Sequence, residues 1–303
     1  MTTATIRGVL PVFQTPYSVD GEIDFATLRT EIDWLFSLGA DGIVMAMVSE
    51  LLRLSSEERD QLATAACTAT RDHGGMCVIS VGAESTHTAI RHARHAEKAG
   101  ATALMAIPPV SVEAEDAELR AYYAGIIEAA SLPVIIQDAS AYVGRAMSIE
   151  LQAGMMNEYG AERVLFKPEA TPLGQRLSAL RDATEGKAAI FEGSGGIALV
   201  DSYRRGIAGT MPGADLIRGV IPLWNALEAG NWNRADRIHG PLSALVSLQN
   251  GLDGFLAVEK YLLKNQGVFQ NEIVRGPSGF LLDEETRYEV DRLFDRMIEA
   301  TES

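Results

Sequence analysis

Apolar and polar positions along this chain follow two alternating patterns. Eight short runs, at residues 8–14, 42–47, 77–81, 103–107, 134–137, 164–167, 188–192 and 209–211, are nearly unbroken in aliphatic, Ala, Met and Phe side chains, as expected for strands covered on both faces. Between them lie amphipathic segments of helical period that open at capping residues. Asp24 opens one that ends near Gly39, Ser55-Ser56-Glu57-Glu58 opens the next, and Ser85 opens one that ends at Gly100. Later helical patterns begin near Glu113, Ser148, Pro172, Ile197 and Asp215.

Eight strand–helix units in about 230 residues predict an α/β fold, a (β/α)8 TIM barrel, in preference to two smaller domains. No linker-rich break divides the units. After residue 230 the strand signal stops, and helical patterns at 232–250, 252–265 and 283–301 predict a C-terminal three-helix appendage. The expected organisation is a barrel over residues 1–230, with residues 231–303 as an appendage of the same domain.

Composition narrows the class. The 303 residues carry 26 Lys+Arg against 41 Asp+Glu, a net charge of −15, which argues against a nucleic-acid partner. A chain 47% hydrophobic and 22% charged is ordinary for a packed globule, and no apolar run approaches the roughly 20 residues that span a bilayer. The first residues show no secretory pattern. Cys67 and Cys77 make no disulfide framework and are expected as buried thiols of a soluble, cytoplasmic protein. An anionic substrate must then be recognised locally, against the field of the whole molecule.

Barrel enzymes carry their chemistry where strands meet the loops that follow them. Of the lysines, Lys98 lies within a helix, Lys187 precedes a strand, and Lys260 and Lys264 share a face of a late helix. Lys167 alone ends a strand, in Val164-Leu165-Phe166-Lys167-Pro168-Glu169. Desolvation favours the neutral, nucleophilic form of an amine, which can then condense with a carbonyl. Glu169 shares the face of Lys167 if extended geometry continues through Pro168; an ion pair that merely closes the strand is the competing reading.

Two further turns qualify. Ala46-Met47-Val48-Ser49-Glu50 offers backbone N–H groups and a hydroxyl to a carboxylate. Glu192-Gly193-Ser194-Gly195-Gly196 allows a ligand to approach the backbone closely. Either can equally be a plain turn. His87, His92 and His95 share one helix, with no cysteine or carboxylate to complete a zinc pattern, so no metal site is expected. There is no Gly-x-Ser-x-Gly elbow and no phosphate-binding loop.

Taken in order, these residues resemble the dihydrodipicolinate synthase/N-acetylneuraminate lyase superfamily over nearly the whole chain. The resemblance runs through Gly8-Val9-Leu10-Pro11-Val12-Phe13-Gln14-Thr15-Pro16, Ser49-Glu50 with Leu54-Ser55-Ser56-Glu57-Glu58-Arg59, Pro108-Pro109, Lys167 and Gly206-Ile207-Ala208-Gly209-Thr210-Met211. It implies a (β/α)8 barrel, usually a homotetramer, whose lysine carries a pyruvate-like imine without any cofactor.

The sequence also departs from the family pattern. The usual Gly-Thr-Thr-Gly-Glu loop reads Ala46-Met47-Val48-Ser49-Glu50; Gln137 stands where the family tyrosine is expected; Val110-Ser111 replaces an aromatic pair. These departures weigh against dihydrodipicolinate synthesis and sialic acid cleavage. Ile136-Gln137-Asp138-Ala139 and Lys167-Pro168-Glu169 are instead similar to L-2-keto-3-deoxyarabonate dehydratase and its relatives.

The resemblance thus implies a small 2-keto acid substrate and dehydration of a 2-keto-3-deoxy sugar acid. Lys167 would form the imine, Glu169 would do acid/base work, and Gln137 would contact a substrate hydroxyl. Met47, Val48, Ser49, Gly193 and Ser194 would bind substrate, Ser49 at the C1 carboxylate and Ser194 at a hydroxyl. A pyruvate-dependent aldolase, a dihydrodipicolinate synthase-like lyase and a noncatalytic keto-acid-binding barrel remain the alternatives. Tyr142 and Arg145, after the fifth strand, are candidates for reaching substrate or a neighbouring subunit.

Overall fold

The computed structural model describes residues 5–140 and 145–302. Eight parallel strands form the barrel: β1 (Gly8–Val9), β2 (Gly42–Met45), β3 (Met76–Ser80), β4 (Ala103–Ala106), β5 (Val134–Asp138), β6 (Val164–Pro168), β7 (Phe191–Glu192) and β8 (Gly209–Thr210). Continuous ladders join β2 to β6 in order and β1 to β8 to β7. Single bridges close the two seams, Val12 to Val44 and Phe166 to Ile190.

The helices that alternate with these strands are α1 (Phe25–Ser37), α2 (Ser56–His73), α3 (Thr86–Ala99), α4 (Asp116–Ala129), α5 (Ile149–Tyr159), α6 (Leu173–Ala183), α7 (Leu199–Arg204) and α8 (Ile217–Glu228). Asp24, Ser55, Ser85 and Ser148 are N-caps whose side chains accept backbone N–H groups of the first turn, as capping chemistry requires. Three more helices follow, α9 (Trp232–Val246), α10 (Gly251–Asn265) and α11 (Glu284–Glu302); α9 and α11 pack on α8, whereas α10 reaches over the barrel to the turn after β2.

Some strands are shorter than the apolar runs. In the first run Pro11 has no N–H for a ladder, so regular pairing stops at Val9 and resumes only as the Val12 bridge. The second run stops at Met45, because Met47–Ser49 coil into a 3₁₀ turn with the Ser49 hydroxyl accepting from the Ala46 N–H at 3.1 Å.

Side-chain parity sets the site. Val44, Val78, Met105, Ile135, Leu165 and Phe191 fill the barrel interior, while their strand neighbours Ile43, Ile79, Leu104, Ile136 and Phe166 pack outward under the helices. With a period of two, Gln137 follows Ile135 inward, Lys167 follows Leu165, and Gly193 follows Phe191. The register pairs Gln137 directly with Lys167.

Candidate active site

A small cavity opens at the C-terminal ends of the strands, lined by Gln137, Lys167, Glu169, Gly193, Met47 and Val48 together with Met211, Gly213, Leu252, Phe255 and Glu259. The barrel therefore brings together residues that stand more than 200 positions apart.

Lys167 and Glu169 meet because β6 does not end at its proline. The Glu169 N–H donates to Asp138 O at 2.9 Å, which holds the chain extended and keeps both side chains on one face. Lys167 Nζ lies 3.1 Å from Glu169 Oε1, and Gln137 Nε2 donates to Glu169 Oε2 at 2.5 Å. All three are buried. Burial pushes the Glu169 carboxyl above its ordinary value, while the Lys167 charge and the bonds from Gln137 and Lys167 pull it back. Gln137 Oε1 is buried without a partner among the described residues, an acceptor free for a ligand.

Gly193 makes this pairing possible. A Cβ at that position would lie 2.5 Å from Lys167 Cε and 2.7 Å from Glu169 Oε1, well inside contact distance.

The structure separates the two predicted serines from the cavity. The Ser49 hydroxyl donates to Phe13 O at 2.6 Å while accepting from Ala46 N–H, and its carbonyl accepts from Thr15 Oγ1 at 2.6 Å. Its polar capacity is thus spent on shaping the turn. Met47 and Val48, at the start of that turn, line the cavity, and the first N–H groups of a helical turn have no partner inside it. Ser194 likewise binds Glu192 through its hydroxyl and, at 2.6 Å, its N–H, and accepts from Ala198 N–H at 3.1 Å. Its neighbours Gly193 and Gly195 are the residues that face the cavity.

Glu50 follows in a left-handed conformation, φ 59°, unusual for a residue with a side chain. Its carboxylate pairs with Lys260 Nζ and accepts the Arg275 N–H at 3.0 Å. Lys260 also donates to Thr15 O at 2.8 Å and Ile273 O at 2.7 Å, and it sits 4.4 Å over the Tyr17 ring. Lys260 and Lys264 share one helix, α10, as the sequence indicates, but Lys260 is fully buried while Lys264 lies nearer solvent, paired with Glu272.

Other candidates fall outside the cavity. His92 is bonded to Asp60 at 2.9 Å, and His95 contacts the Asp60 carbonyl and Thr64. Arg145 pairs with Glu115 at the surface, and Tyr142 lies outside the described residues. Cys67 and Cys77 are buried and free, their sulfurs 3.6 Å apart. No helix among the described residues is long and apolar enough to cross a membrane.

Sequence reasoning missed Glu259, Asp215, Gln14 and Glu31. These form a buried polar cluster beside the cavity. Their signal was a polar residue inside an apolar context, as in Leu256-Ala257-Val258-Glu259-Lys260-Tyr261-Leu262, which periodicity alone assigns to a solvated face.

Comparison with known proteins agrees with this architecture. The model of the dihydrodipicolinate synthetase family matches residues 5–296. The chain is 28% identical over 281 residues to L-2-keto-3-deoxyarabonate dehydratase of Azospirillum brasilense, covering 89% of this chain and 88% of that protein. It is 26% identical over 267 residues to 4-hydroxy-tetrahydrodipicolinate synthase of Rhizobium meliloti, covering 86% and 88%. The crystal structure of dihydrodipicolinate synthase from Rhodopseudomonas palustris superposes with a TM-score of 0.86 at 24% identity, over 96% of this chain and 97% of that one.

Proposed function

The chain belongs to the dihydrodipicolinate synthetase family, whose members are class I Schiff-base lyases, and on that footing we propose that it is a hydro-lyase acting on a 2-keto-3-deoxy sugar acid. One observation carries the reading: the Glu169 carboxyl lies 3.1 Å from Lys167 Nζ, steadied by Gln137 where the family pattern expects a tyrosine.

Lys167 Nζ attacks the C2 carbonyl, water leaves, and the resulting iminium acidifies C3. Glu169 takes the C3 proton, giving an enamine. The electron pair of the enamine then expels the C4 hydroxyl as water once that oxygen has been protonated, and a water molecule hydrolyses the resulting unsaturated iminium, restoring the C2 carbonyl and the free Lys167 amine. A buried carboxyl whose proton affinity is raised by desolvation is suited to such work. The Met47 and Val48 N–H groups receive the C1 carboxylate, and Gln137 Oε1 accepts from a substrate hydroxyl. Ser49 acts behind them by holding the turn. The similarity to the Azospirillum dehydratase supports this assignment, which carries with it the expected cytoplasmic homotetramer.

Borohydride added with pyruvate should leave a reduced adduct on Lys167. Incubation with 2-keto-3-deoxy pentonates and hexonates should give a dehydrated product with the carbon chain intact. Glu169→Gln should still be trapped while its kcat drops by about 10²–10⁴. Release of pyruvate and an aldehyde would identify an aldolase instead, and ligand-induced stabilisation without turnover would identify a binding barrel.

A further inference from the structure

Of the described residues lining the cavity, three ionise: Lys167, Glu169 and Glu259. Lys167 and Glu169 stand together on β6. Glu259 comes from α10 and enters beyond the C-terminal ends of the paired strands β8 and β1, beside Gly213 and Gln14. Its setting is the reverse of that around Glu169. Gln14 Nε2 donates to Glu259 Oε2, and the Gln14 N–H donates to Glu31 Oε1 at 2.9 Å. Gln249 Nε2 approaches Asp215 Oδ2 at 3.3 Å. Glu259 Oε1 and Asp215 Oδ1 crowd the same point next to Gly213, 2.6 and 2.7 Å from where its Cβ would be.

Glu31, Asp215 and Glu259 are each no more than 1% exposed, and among the described residues none has a salt-bridge partner. The cation nearest in chain and in field, Lys260, is committed to Glu50 and two carbonyls. An unpaired buried carboxylate is costly to keep charged, and neighbouring carboxylates raise that cost. Burial first, then the Asp215 and Glu31 charges, push Glu259 well above its ordinary value, against Gln14 and the Lys260 charge. The cavity therefore holds two carboxyls in unlike surroundings, one beside an amine and one among acids. Such pairs divide into base and acid.

We propose that the Glu259 carboxyl, on the cavity wall beyond the ends of β8 and β1, donates the proton to the departing C4 hydroxyl while Glu169, beside Lys167, receives the C3 proton. The assignment rests on the hydro-lyase reading above. In the step the Glu259 O–H bond and the C4–O bond break, the C3=C4 bond forms from the enamine pair, and the C4–O pair leaves with oxygen as water. Glu259 is left as a carboxylate and Glu169 as a carboxylic acid; both are reset by exchange with solvent as product leaves, with no net proton consumed.

The test varies the leaving group. A 2-keto-3-deoxy acid with fluorine at C4 eliminates fluoride, which departs without a proton, so Glu259→Gln should lose about 10²–10⁴ in kcat on the 4-hydroxy substrate yet release fluoride within a few-fold of the wild-type rate. Borohydride trapping of pyruvate at Lys167, unchanged in the variant, reports an intact site. Equal losses for both leaving groups, or none for either, would overturn the assignment. Should Glu259→Gln fail to fold, Asp215→Asn serves: removing the acid beside Glu259 should move the alkaline limb of the kcat profile to lower pH, and an unmoved limb sinks the proposal. A wild-type protein that releases fluoride but dehydrates no 4-hydroxy acid removes the hydro-lyase reading and this assignment together. Wild-type dehydration matched by Glu259→Gln removes this assignment alone.

Discussion

Replacing Gly193 with alanine should separate stability from chemistry. The Gly193 backbone is not in the left-handed region, so alanine is conformationally acceptable. Its methyl would sit 2.5 Å from Lys167 Cε and 2.7 Å from Glu169 Oε1, where carbon atoms ordinarily keep about 3.5–4.0 Å. The end of the Lys167 side chain must therefore retreat by about 1 Å. Because it is flexible, the cost to folding should stay near the low end of the overpacking range, about 1 kcal/mol. The nucleophile has no such latitude, since a misplacement of about 1 Å costs about 10²-fold in rate, equivalent to about 2.7 kcal/mol of activation energy. The assay is the rate of borohydride-trapped pyruvate adduct at Lys167, with a denaturation curve on the same sample. A variant trapped as fast as wild type would refute the claim that Gly193 sets the Lys167–Glu169 pair, as would a loss of trapping fully explained by unfolding.

Two other perturbations follow from the buried charges. Lys260→Met keeps the side-chain length but leaves the Glu50 carboxylate with only the Arg275 N–H and Arg53, 3.7 Å away; urea unfolding should show a loss of about 3–5 kcal/mol, and an unchanged midpoint would mean that Glu50 is satisfied without the amine. Asp215 is pushed by burial from 3.8 up to about 7, so the folded chain keeps a proton that the unfolded chain has already released. Stability from this group is then fully present below about pH 4 and is lost as pH rises toward 7, by as much as about 4 kcal/mol. Asp215→Asn should flatten that slope in melts across this range, and a slope identical to wild type would show that Asp215 does not titrate there.

Much of the fold was legible because it depends on short-range periodicity. Runs such as 134–137 and 164–167 are too apolar for an exposed face, and Asp24, Ser55 and Ser85 mark helix starts by chemistry that acts within one turn. The Lys167–Glu169 pairing was legible for the same reason, given an extended chain through Pro168. That condition is met by the bond from Glu169 N–H to Asp138 O, which belongs to the neighbouring strand and has no trace in the local sequence.

What the sequence alone determined was the strand–helix order and the position of Lys167 at the end of β6; the glycine-rich turn at Gly193 it left open between a ligand approach and a plain turn. Tertiary structure decided which polar atoms remain available. Ser49 and Ser194 carry hydroxyls suited to a ligand, but Phe13 O, Ala46 N and Glu192 claim them first. Lys260 and Glu259 carry no local mark of burial, yet closing α10 over the barrel mouth buries both, one against Glu50 and the other among Asp215, Gln14 and Glu31. The physical reason is range: propensity and periodicity act over a few residues, whereas desolvation and hydrogen-bond competition depend on whichever distant segments the fold presses together.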